Sequence, residues 1–424
     1  MSLAAELKKR GFIHQTSAES LEDLLDKGPR TIYHGVDPSA DSIQAGNFAS
    51  WMLLRHLKDA GHTVVLLVGG GTGMIGDPKP DVERTLSTPE EVAARVKKIE
   101  AQAKRLLGDG VVFVNNHDWL SKLGLIEFLR DIGKHFTVNE LIKKDAIATR
   151  LQSDQGLSYT EFAYPLLQGY DFLELYRRHG CTVQVGGSDQ WGNMIAGVEL
   201  IRRKEQAAAH VITIPLIVDK ATGKKLGKSE GNSVWLDAEK TSPFAFYQFW
   251  FNVGDENVID YLKIFTRLSL SEIDVIAAEF EKNPGSRSAQ RRLAEEITTI
   301  VHGADKAKMM ANVSDIIFGT RSLGLLTETE KVVLLENAPQ SVVEAGQQLV
   351  EVLVETGLAS SKREARTFIE SGAVALNSNK ITEPATILSD GLFVFGVAIL
   401  RRGKKHVHLL TVMNEKSSTS AASI

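Results

Sequence analysis

Short apolar runs alternate with helical stretches between Thr31 and about Val218. Glycine or polar residues bound the runs, which predicts five strands: TIYHGVD, TVVLLVGG, VVFVNN, CTVQVGG and VITIPLIV. The intervening stretches ASWMLLRHLKDAG and EEVAARVKKIEAQAKRLLG have helical periodicity and end in glycine, a common helix stop. This alternation predicts an α/β fold with a Rossmann-like, doubly wound parallel sheet, whose ligand crevice lies at the carboxyl ends of the strands.

Beyond the predicted sheet the pattern becomes helical to about Gly319. This region opens with Thr241 and Ser242 as cap residues and Pro243 in the first turn. A tail with little apolar content ends the chain, and we expect it to be disordered. The expected divisions are a first domain at 1–235, an α-helical domain at 236–320, a linker at 321–341, a small α+β domain at 342–412 and the tail at 413–424.

Composition narrows the class of protein. With 43% hydrophobic and 24% charged residues, the chain has the composition of an ordinary soluble globular protein. The single cysteine, Cys181, excludes a disulfide framework and a cysteine-based zinc site, and we expect no structural metal. The amphipathic N-terminal stretch lacks the features of a targeting signal, and no apolar window approaches the ~18 residues of a membrane span. A cytoplasmic location is therefore expected.

The charge of the chain is unevenly distributed. Its net charge of −4 argues against a protein that wraps nucleic acid over its whole surface. Between Ser360 and His408, however, eight lysine and arginine residues stand against four acids, a local excess of +4. That excess fits either a binding surface for phosphate backbones or an ordinary solvated basic surface. Charge alone leaves both interpretations open.

One glycine-rich stretch imitates a dinucleotide-binding fingerprint. Residues 71–76, GTGMIG, follow a predicted strand and match the spacing formally. The fingerprint requires a helix to begin at the turn, because the helix N-terminus holds the pyrophosphate. Pro78 and Pro80 follow at once and prevent a regular helix. We therefore expect only a strand end where backbone and ligand approach closely.

Six motifs stand out along the chain, in this order: YHGVDPSADSIQAGN, GGGTGMIGDP, NNHDW, YPLLQGYD, QVGGSDQWGN and KKLGKSEGN. Together they resemble the bacterial tyrosyl-tRNA synthetases, which are class I enzymes, and the resemblance extends to about Val412. It implies activation of L-tyrosine by ATP with Mg²⁺, followed by transfer to tRNA(Tyr). It also implies that 1–235 is catalytic, that 236–320 binds the anticodon and that 342–412 is an S4-like RNA-binding domain.

The implied first step joins a carboxylate to the α-phosphorus of ATP and releases pyrophosphate. A carboxylate is already ionised at neutral pH, so the step needs positioning and donors for phosphoryl charge rather than a general base. The resemblance places two such donors, Lys225 and Lys228, in the KLGKS loop at 225–229, and Arg84, which follows the GDP turn, could add to the same clamp. The family often has a lysine just before this arginine, where the chain offers Lys79. The implied catalytic set is Lys225, Lys228, Ser39, Gln44, Asn47 and Arg84.

The resemblance also assigns the substrate contacts. Tyr33 and Asp171 are implied at the substrate phenol, as one donor and one acceptor. A site that must hydrogen-bond a hydroxyl rejects phenylalanine, a point that this family itself illustrates, and the sequence contains no inserted editing domain. The other implied tyrosine contacts surround the substrate ammonium group and its carboxylate side: Asp77, Asn116, Tyr164, Gln168 and Gln190. The implied ATP contacts are Gly35, Asp37, Gly46, Gly187, Asp189 and Lys228.

The chain departs from the family at its HIGH signature, which here is Gln44-Ala45-Gly46-Asn47. Both histidines are missing, but the amides of Gln44 and Asn47 can still donate hydrogen bonds. Removing one transition-state donor typically costs about 3 kcal/mol, and a substituted donor should cost less. We therefore expect reduced or compensated activity rather than its absence.

The resemblance extends to partners. The implied RNA contacts of the S4-like domain are Lys362, Arg363, Arg366, Lys404 and Lys405. The stretch FLRDIGKHFTVNELIKKDA, within about 120–160, matches the family's dimer-forming connective segment. A homodimer is implied, with one tRNA bridging both subunits.

Two alternatives remain at this point. The first is a non-catalytic RNA-binding relative that lost its chemistry through Gln44 and Asn47. The intact tyrosine site, Asp189 and both loop lysines argue against it. The second is tryptophan activation on the same fold, which the pair of Tyr33 and Asp171 disfavours.

Overall fold

The five predicted apolar runs form the parallel strands of a six-stranded sheet. Its strands are β1 (Gln15–Thr16), β2 (Thr31–Val36), β3 (Thr63–Val68), β4 (Val111–Asn115), β5 (Cys181–Gly187) and β6 (His210–Ile214). Their order is β1-β6-β5-β2-β3-β4, and β1 runs antiparallel to β6. Residues Val64 to Val68 are all buried, because both faces of a parallel sheet are covered.

The order of the strands creates the predicted crevice. The chain runs outward from β2 to β3 and β4, and then returns to the opposite side of β2 with β5 and β6. The direction of winding therefore changes between β2 and β5. Ligand sites in open parallel sheets lie at the carboxyl ends of such strands. The predicted doubly wound α/β fold is confirmed.

This computed structural model describes residues 1–79, 85–152, 156–226, 228–229, 232–319, 321–403 and 406–412, without the side chains at 145, 146, 228, 229 and 232. The chain divides into two compact units. The N-terminal unit comprises Met1–Thr241 and Asn252–Leu293, and the C-terminal unit comprises Ser242–Phe251 and Ala294–Ile424. The predicted domain boundaries stay predictions.

Helices surround the sheet in the expected alternation. Up to residue 241 they are α1 (Leu3–Arg10), α2 (Leu21–Leu25), α3 (Phe48–Asp59), α4 (Pro89–Leu107), α5 (His117–Leu120), α6 (Leu125–Glu127), α7 (Val138–Leu141), α8 (Asp145–Leu151), α9 (Tyr159–His179) and α10 (Trp191–Glu205). A short antiparallel pair, β7 (Lys228–Ser229) and β8 (Asn232–Ser233), follows β6. The later helices are α11 (Pro243–Phe251), α12 (Asp255–Phe265), α13 (Leu270–Lys282), α14 (Ser288–His302), α15 (Ala304–Phe318), α16 (Glu328–Asn337), α17 (Leu349–Glu355) and α18 (Lys362–Glu370).

The dinucleotide fingerprint does not open a helix. After β3 the chain makes one 3₁₀ turn at Thr72–Met74, and Gly76 then adopts a positive φ of 83°. The backbone N–H of Gly76 donates to the Thr72 carbonyl oxygen at 2.8 Å and closes the turn. The expected strand end is therefore what the structure contains.

The C-terminal unit includes the predicted α+β element. Its strands are β9 (Gln340–Val342), β10 (Val374–Leu376), β11 (Asn379–Ile381), β12 (Val397–Arg402) and β13 (His406–Thr411), in the order β11-β10-β12-β13-β9. Apolar residues of α17 and α18, such as Leu353 and Ile369, share one buried core with the sheet residues Leu400 and Leu410.

Two elements lie in the segment predicted as a linker. Helix α16 begins with a capping box, in which Thr327 and Glu330 bond each other's backbone N–H. Strand β9 adds the parallel edge of the five-stranded sheet. The motif TETE was a readable sign of the helix start. Among the residues described, no helix has the length and apolar character needed to cross a membrane.

Candidate functional site

A cavity of about 660 Å³ lies within the N-terminal unit, at the carboxyl ends of β2 and β5. Segments that follow β2, β3 and β5 line it together with α9, although they are far apart in sequence. The predicted site residues among its lining are Tyr33, Gly35, Asp37, Ser39, Gln44, Gly46, Asn47, Asp77, Tyr164, Gln168, Asp171, Gly187, Asp189, Gln190 and Lys225.

One end of the cavity carries a buried donor beside a buried acceptor. The Tyr33 hydroxyl has no hydrogen-bond partner in the described part of the chain. Asp171 accepts a hydrogen bond from Asn116 Nδ2 at 2.9 Å and another from Trp119 Nε1 at 2.7 Å. Burial raises the pKa of Asp171 to about 7, against the opposing effect of these two bonds. Burial, and then the charge of Asp171, raises the pKa of Tyr33 well above its ordinary value.

A line of hydrogen bonds connects this end with Asp37. Asp37 accepts from the Tyr164 hydroxyl at 2.8 Å and from Thr72 Oγ1 at 2.7 Å. Thr72 Oγ1 in turn accepts from Asn116 Nδ2 at 2.8 Å, and Asn116 also donates to Asp171. We call these five residues the Thr72 network. Burial, and then the charge of Asp37, raises the pKa of Tyr164 well above its ordinary value, so Tyr164 stays a donor.

A second carboxylate, Asp77, is held by amides. Gln190 Nε2 donates to Asp77 at 2.8 Å and Asn193 Nδ2 donates to it at 3.1 Å. Lys144 Nζ donates to Asn193 Oδ1 at 3.1 Å, which fixes the amide of Asn193 with its nitrogen toward Asp77. Burial lowers the pKa of Lys144 to about 8, and the charge of Asp77 opposes that change.

Two glutamine acceptors face no partner in the same cavity. Oε1 of Gln168 and Oε1 of Gln184 are buried without a hydrogen bond to any described residue. A buried polar atom without a partner is costly, so such atoms often await a ligand. Together with Asp77 they give the cavity acceptors for a group that donates several hydrogen bonds.

The QAGN motif contacts the chain within the KLGKS loop and just after it. Gln44 Nε2 donates to Ser233 Oγ at 3.0 Å, and the backbone N–H of Ala45 donates to the Val234 carbonyl oxygen at 2.9 Å. A Cβ atom at Gly46 would lie 2.8 Å from the Leu226 carbonyl oxygen. Glycine is therefore required at this position by the approach of another backbone segment, independently of any nucleotide.

Three other predicted site residues, Lys225, Asp189 and Asn47, are open to solvent. Lys225 Nζ lies 3.7 Å from Asp189 Oδ2, and the two side chains are 51% and 48% exposed. Asn47 is exposed and its side chain does not cap α3. These groups are poorly fixed by the protein itself, which suits a region that receives a highly charged ligand.

Two further side chains border the cavity. His34 Nδ1 donates to the Val185 carbonyl oxygen at 2.9 Å, and burial lowers the pKa of His34. Lys79 also lines the cavity, and its carbonyl oxygen accepts from Arg150 at 3.1 Å. The buried pair of Arg150 and Glu161, 3.2 Å apart, therefore fixes the end of the GDP turn.

Some of the predicted site residues fall outside the part of the chain that the structure describes. They are Arg84, Lys404, Lys405 and the side chain of Lys228. Asn116, which was predicted beside the substrate ammonium and carboxylate groups, is instead fully buried and contacts Asp171 at the predicted phenol end.

The predicted RNA contacts lie in the C-terminal unit. Lys362, Arg363 and Arg366 are exposed on α18, which Ser361 caps. Lys362 also pairs with Glu351 at 2.7 Å. Arg402 is engaged within the unit: it donates to the Leu358 carbonyl oxygen at 2.8 Å. The local charge excess is therefore partly used for packing.

Several contributors to the site escaped prediction: Thr72, Trp119, Lys144, Gln184 and Asn193. Trp119 was visible in the motif NNHDW, and Thr72 in GGGTGMIGDP, but neither motif indicates which carboxylate the side chain contacts. Lys144 is one of several lysines in a charged segment, and nothing local distinguishes it.

Two family models match the chain. The model described as "tRNA synthetases class I (W and Y)" matches residues 25–319. The model described as "Tyrosine--tRNA ligase SYY-like C-terminal domain" matches residues 330–410.

Individual proteins give the same picture. The chain is 46% identical over 421 residues to "Tyrosine--tRNA ligase" of Streptococcus pneumoniae, covering 97% of this chain and 100% of the relative. It resembles the structure of a C-terminally truncated mitochondrial tyrosyl-tRNA synthetase from Aspergillus nidulans, with a TM-score of 0.66 and 31% identity over 73% of this chain and 92% of that chain. The corresponding Coccidioides posadasii structure has a TM-score of 0.65 and 30% identity over 73% of this chain and 91% of that chain.

Proposed function

This chain belongs to the tyrosine–tRNA ligase family of class I aminoacyl-tRNA synthetases, and on that premise we propose how its residues divide the reaction. L-tyrosine and ATP form tyrosyl-adenylate and pyrophosphate, and the tyrosyl group then passes to the 3′-terminal adenosine of tRNA(Tyr). Because the attacking carboxylate is already ionised, the protein's work in the first step is positioning and stabilisation of charge.

Tyrosine selection rests on the end of the cavity that holds Tyr33 and Asp171. The observation that carries this proposal is a buried hydroxyl, with no hydrogen-bond partner among the described residues, beside a buried carboxyl group. The substrate phenol would donate to Asp171 and accept from Tyr33. Phenylalanine would leave both groups unpaired, which is costly in a buried site.

The other end of the amino acid meets a different set of groups. Asp77 provides a negative charge for the substrate ammonium, and Gln168 Oε1 provides an unused acceptor. The Tyr164 hydroxyl donates its proton in a hydrogen bond to Asp37, so its oxygen can accept a hydrogen bond from the substrate ammonium. Gln190 holds Asp77 in place through a hydrogen bond. Asn116 acts one step behind, through Asp171.

ATP would bind across the QAGN motif and the end of β5. Asp189 can accept from the ribose hydroxyls, with Gly35 and Gly187 giving room for the nucleoside; Asp37 and Gly46 complete the proposed ATP contacts. Lys225 would supply positive charge to the departing pyrophosphate, and Ser39 and Asn47 would add hydrogen bonds. We propose that Lys228 and Arg84 also supply positive charge to the pyrophosphate. Gln44 would donate a hydrogen bond in place of the family's histidine.

Mg²⁺ is proposed as the companion of ATP. Among the residues described, no three histidine, cysteine or carboxylate groups come together as an ion site, so the phosphates would supply most of its ligands. When bound, the ion neutralises phosphate charge.

The alternatives are less well supported. A non-catalytic role is not favoured, because the relatives that match 97% of this chain are ligases. Tryptophan specificity would require an acceptor for the indole N–H. Asp171 could serve as that acceptor, but the Tyr33 hydroxyl would then find no partner on the substrate. Competition between the two amino acids separates these cases.

The C-terminal unit would bind tRNA. Lys362, Arg363 and Arg366 form one exposed basic face on a capped helix, which suits phosphate contacts. Lys404 and Lys405 are proposed as an extension of that face, and the helices at 236–320 as the anticodon-binding part. A cytoplasmic location is also proposed.

A homodimer is proposed through the connective segment at about 120–160. Large apolar side chains are exposed there, including Leu125 at 71%, Ile126 at 73% and Val138 at 59%. A cluster of this kind is unusual on a monomer surface and typical of an interface. Light scattering on the full chain would give twice the mass of 46.5 kDa if the proposal holds.

The decisive experiment is tyrosine-dependent exchange of labelled pyrophosphate into ATP by the purified chain. Tryptophan and phenylalanine serve as controls. Exchange with tyrosine alone supports the proposed activity and selectivity. No exchange at saturating substrate, in a protein that still binds tRNA, would overturn the catalytic proposal.

A further inference from the structure

We propose that Thr72 is a positioning residue that couples the phenol end of the tyrosine site to Asp37 on the ATP side. The inference rests on the proposed function, since it concerns residues that would touch tyrosine and ATP. Thr72 itself was assigned no role by the motif in which it lies.

The position of Thr72 is fixed by backbone contacts. Thr72 begins the 3₁₀ turn after β3 and is only 2% exposed. Its carbonyl oxygen accepts from Gly76 N–H at 2.8 Å, and Gly73 N–H donates to the Gly69 carbonyl oxygen at 2.7 Å. The hydroxyl is therefore held inside the protein at a defined place and can serve as a connection between two other side chains.

The directions of the hydrogen bonds around this hydroxyl have a single solution. Asp37 can only accept, so Thr72 uses its one proton at 2.7 Å on that carboxylate. The Thr72 oxygen must then accept from Asn116 Nδ2 at 2.8 Å. A flipped Asn116 would break this arrangement, because its Oδ1 accepts from Gly71 N–H at 2.7 Å and its Nδ2 also serves Asp171.

The network therefore ties two carboxylates to one hydroxyl. Loss of the hydroxyl removes one hydrogen bond from Asp37, which is partly buried, and one acceptor from the amide of Asn116, which is fully buried. Asn116 then loses one of the contacts that orient it toward Asp171, and Asp37 loses one of the contacts that hold it beside the Tyr164 hydroxyl. Tyrosine and ATP binding should both weaken, although Thr72 need touch neither substrate.

Matched substitutions separate the hydroxyl from the rest of the side chain. Thr72→Val replaces the hydroxyl by a methyl group of similar size, and Thr72→Ser keeps the hydroxyl but removes the methyl group. We expect the valine variant to lose about tenfold in tyrosine affinity and in the rate of adenylate formation. The serine variant should stay within about twofold of the parent.

If Thr72 had only a structural role, its substitution would leave the effect of ATP on tyrosine affinity unchanged. The gain in tyrosine affinity on adding a non-hydrolysable ATP analogue is measured in parent and variants by equilibrium dialysis. The coupling proposal expects that gain to shrink in Thr72→Val and to return in Thr72→Ser. If the serine and valine variants are equally impaired, or if the gain is unchanged in the valine variant, the proposal is wrong.

Two controls keep the test decisive. Thermal unfolding monitors the folding of each variant, and if Thr72→Val does not fold, the pair Thr72→Ala and Thr72→Ser repeats the comparison with the hydroxyl as the only difference. Parent protein that fails to exchange pyrophosphate would refute the proposed function. Active parent protein with indifferent Thr72 variants would refute the coupling alone.

Discussion

The two ends of the cavity differ in how much the protein itself fixes its side chains. At the proposed tyrosine end, Asp171 is held by two hydrogen bonds from buried partners, Asn116 and Trp119. At the proposed ATP end, Lys225 and Asp189 are about half exposed and 3.7 Å apart. The first end is built before substrate arrives, and the second has charged groups that water still surrounds.

This difference follows from what each ligand demands. A phenol differs from a phenyl ring by one hydroxyl, so selection requires a donor and an acceptor at fixed positions with no water to replace the missing group. Triphosphate carries enough charge to order exposed cations by itself. Substitutions at the tyrosine end should therefore affect recognition strongly, whereas those at the ATP end should affect the rate with little effect on tyrosine affinity.

The largest effect is expected from Asp171→Asn. The substitution keeps the size of the side chain but removes the charged acceptor for the substrate phenol. We expect kcat/KM for tyrosine in pyrophosphate exchange to fall about 100-fold, because an unmet bond to a charged group costs about 3 kcal/mol.

Asp118→Asn is the matched control for this substitution. Asp118 is exposed and next to Trp119 in sequence, so it tests the removal of one negative charge near the site. Its kcat/KM should stay close to that of the parent. A tyrosine kcat/KM in Asp171→Asn within tenfold of the parent would contradict the proposed recognition.

Lys225→Ala tests the opposite end. We expect kcat of exchange to fall about 30-fold, with KM for tyrosine nearly unchanged, since a cation that stabilises developing phosphate charge acts mainly in the transition state. Lys224→Ala is the control, because Lys224 is the exposed neighbour in sequence. A rise in the tyrosine KM without loss of kcat would show that the two ends are not separated as argued.

The pKa of Asp171 predicts how tyrosine recognition depends on pH. The value of about 7 means that the carboxyl group is mostly protonated at pH 6 and mostly ionised at pH 8. Only the ionised form is a full acceptor for the phenol, so 1/KM for tyrosine should rise about tenfold between these pH values and then level off. The dependence should be absent in Asp171→Asn. A flat profile in the parent would mean that Asp171 does not titrate in this range.

The sheet and the site differed in how far the sequence could predict them. Each parallel strand contains a short apolar run, of which VVLLV in β3 is the clearest, so local pattern alone was sufficient. Tyr164, Gln168 and Asp171 could be grouped because helical spacing puts them on one face.

Contacts between distant segments could not be found in this way. Thr72 reaches Asp37 and Asn116 from different strand ends, and no local pattern encodes which hydroxyl meets which carboxylate. Helix α16 is a different case: its capping box was present in the sequence, but the polar residues around it favoured a linker.

The smallest effect is expected at Gln44, where the family has a histidine. The amide donates to Ser233 Oγ at 3.0 Å, which leaves one of its two protons for ATP. Gln44→Ala should therefore lower kcat of exchange about fivefold, the worth of about one hydrogen bond, and Gln44→His should stay within tenfold of the parent.

If the Gln44 amide acts mainly by holding Ser233, then Ser233→Ala should lower kcat by about the same factor, and the double variant should lose no more than either single variant. Additive losses would instead mean that Gln44 contacts ATP directly. A loss of more than tenfold in Gln44→His would contradict the idea that glutamine only replaces a stronger donor, because a site adapted to the amide would then reject the family's own side chain.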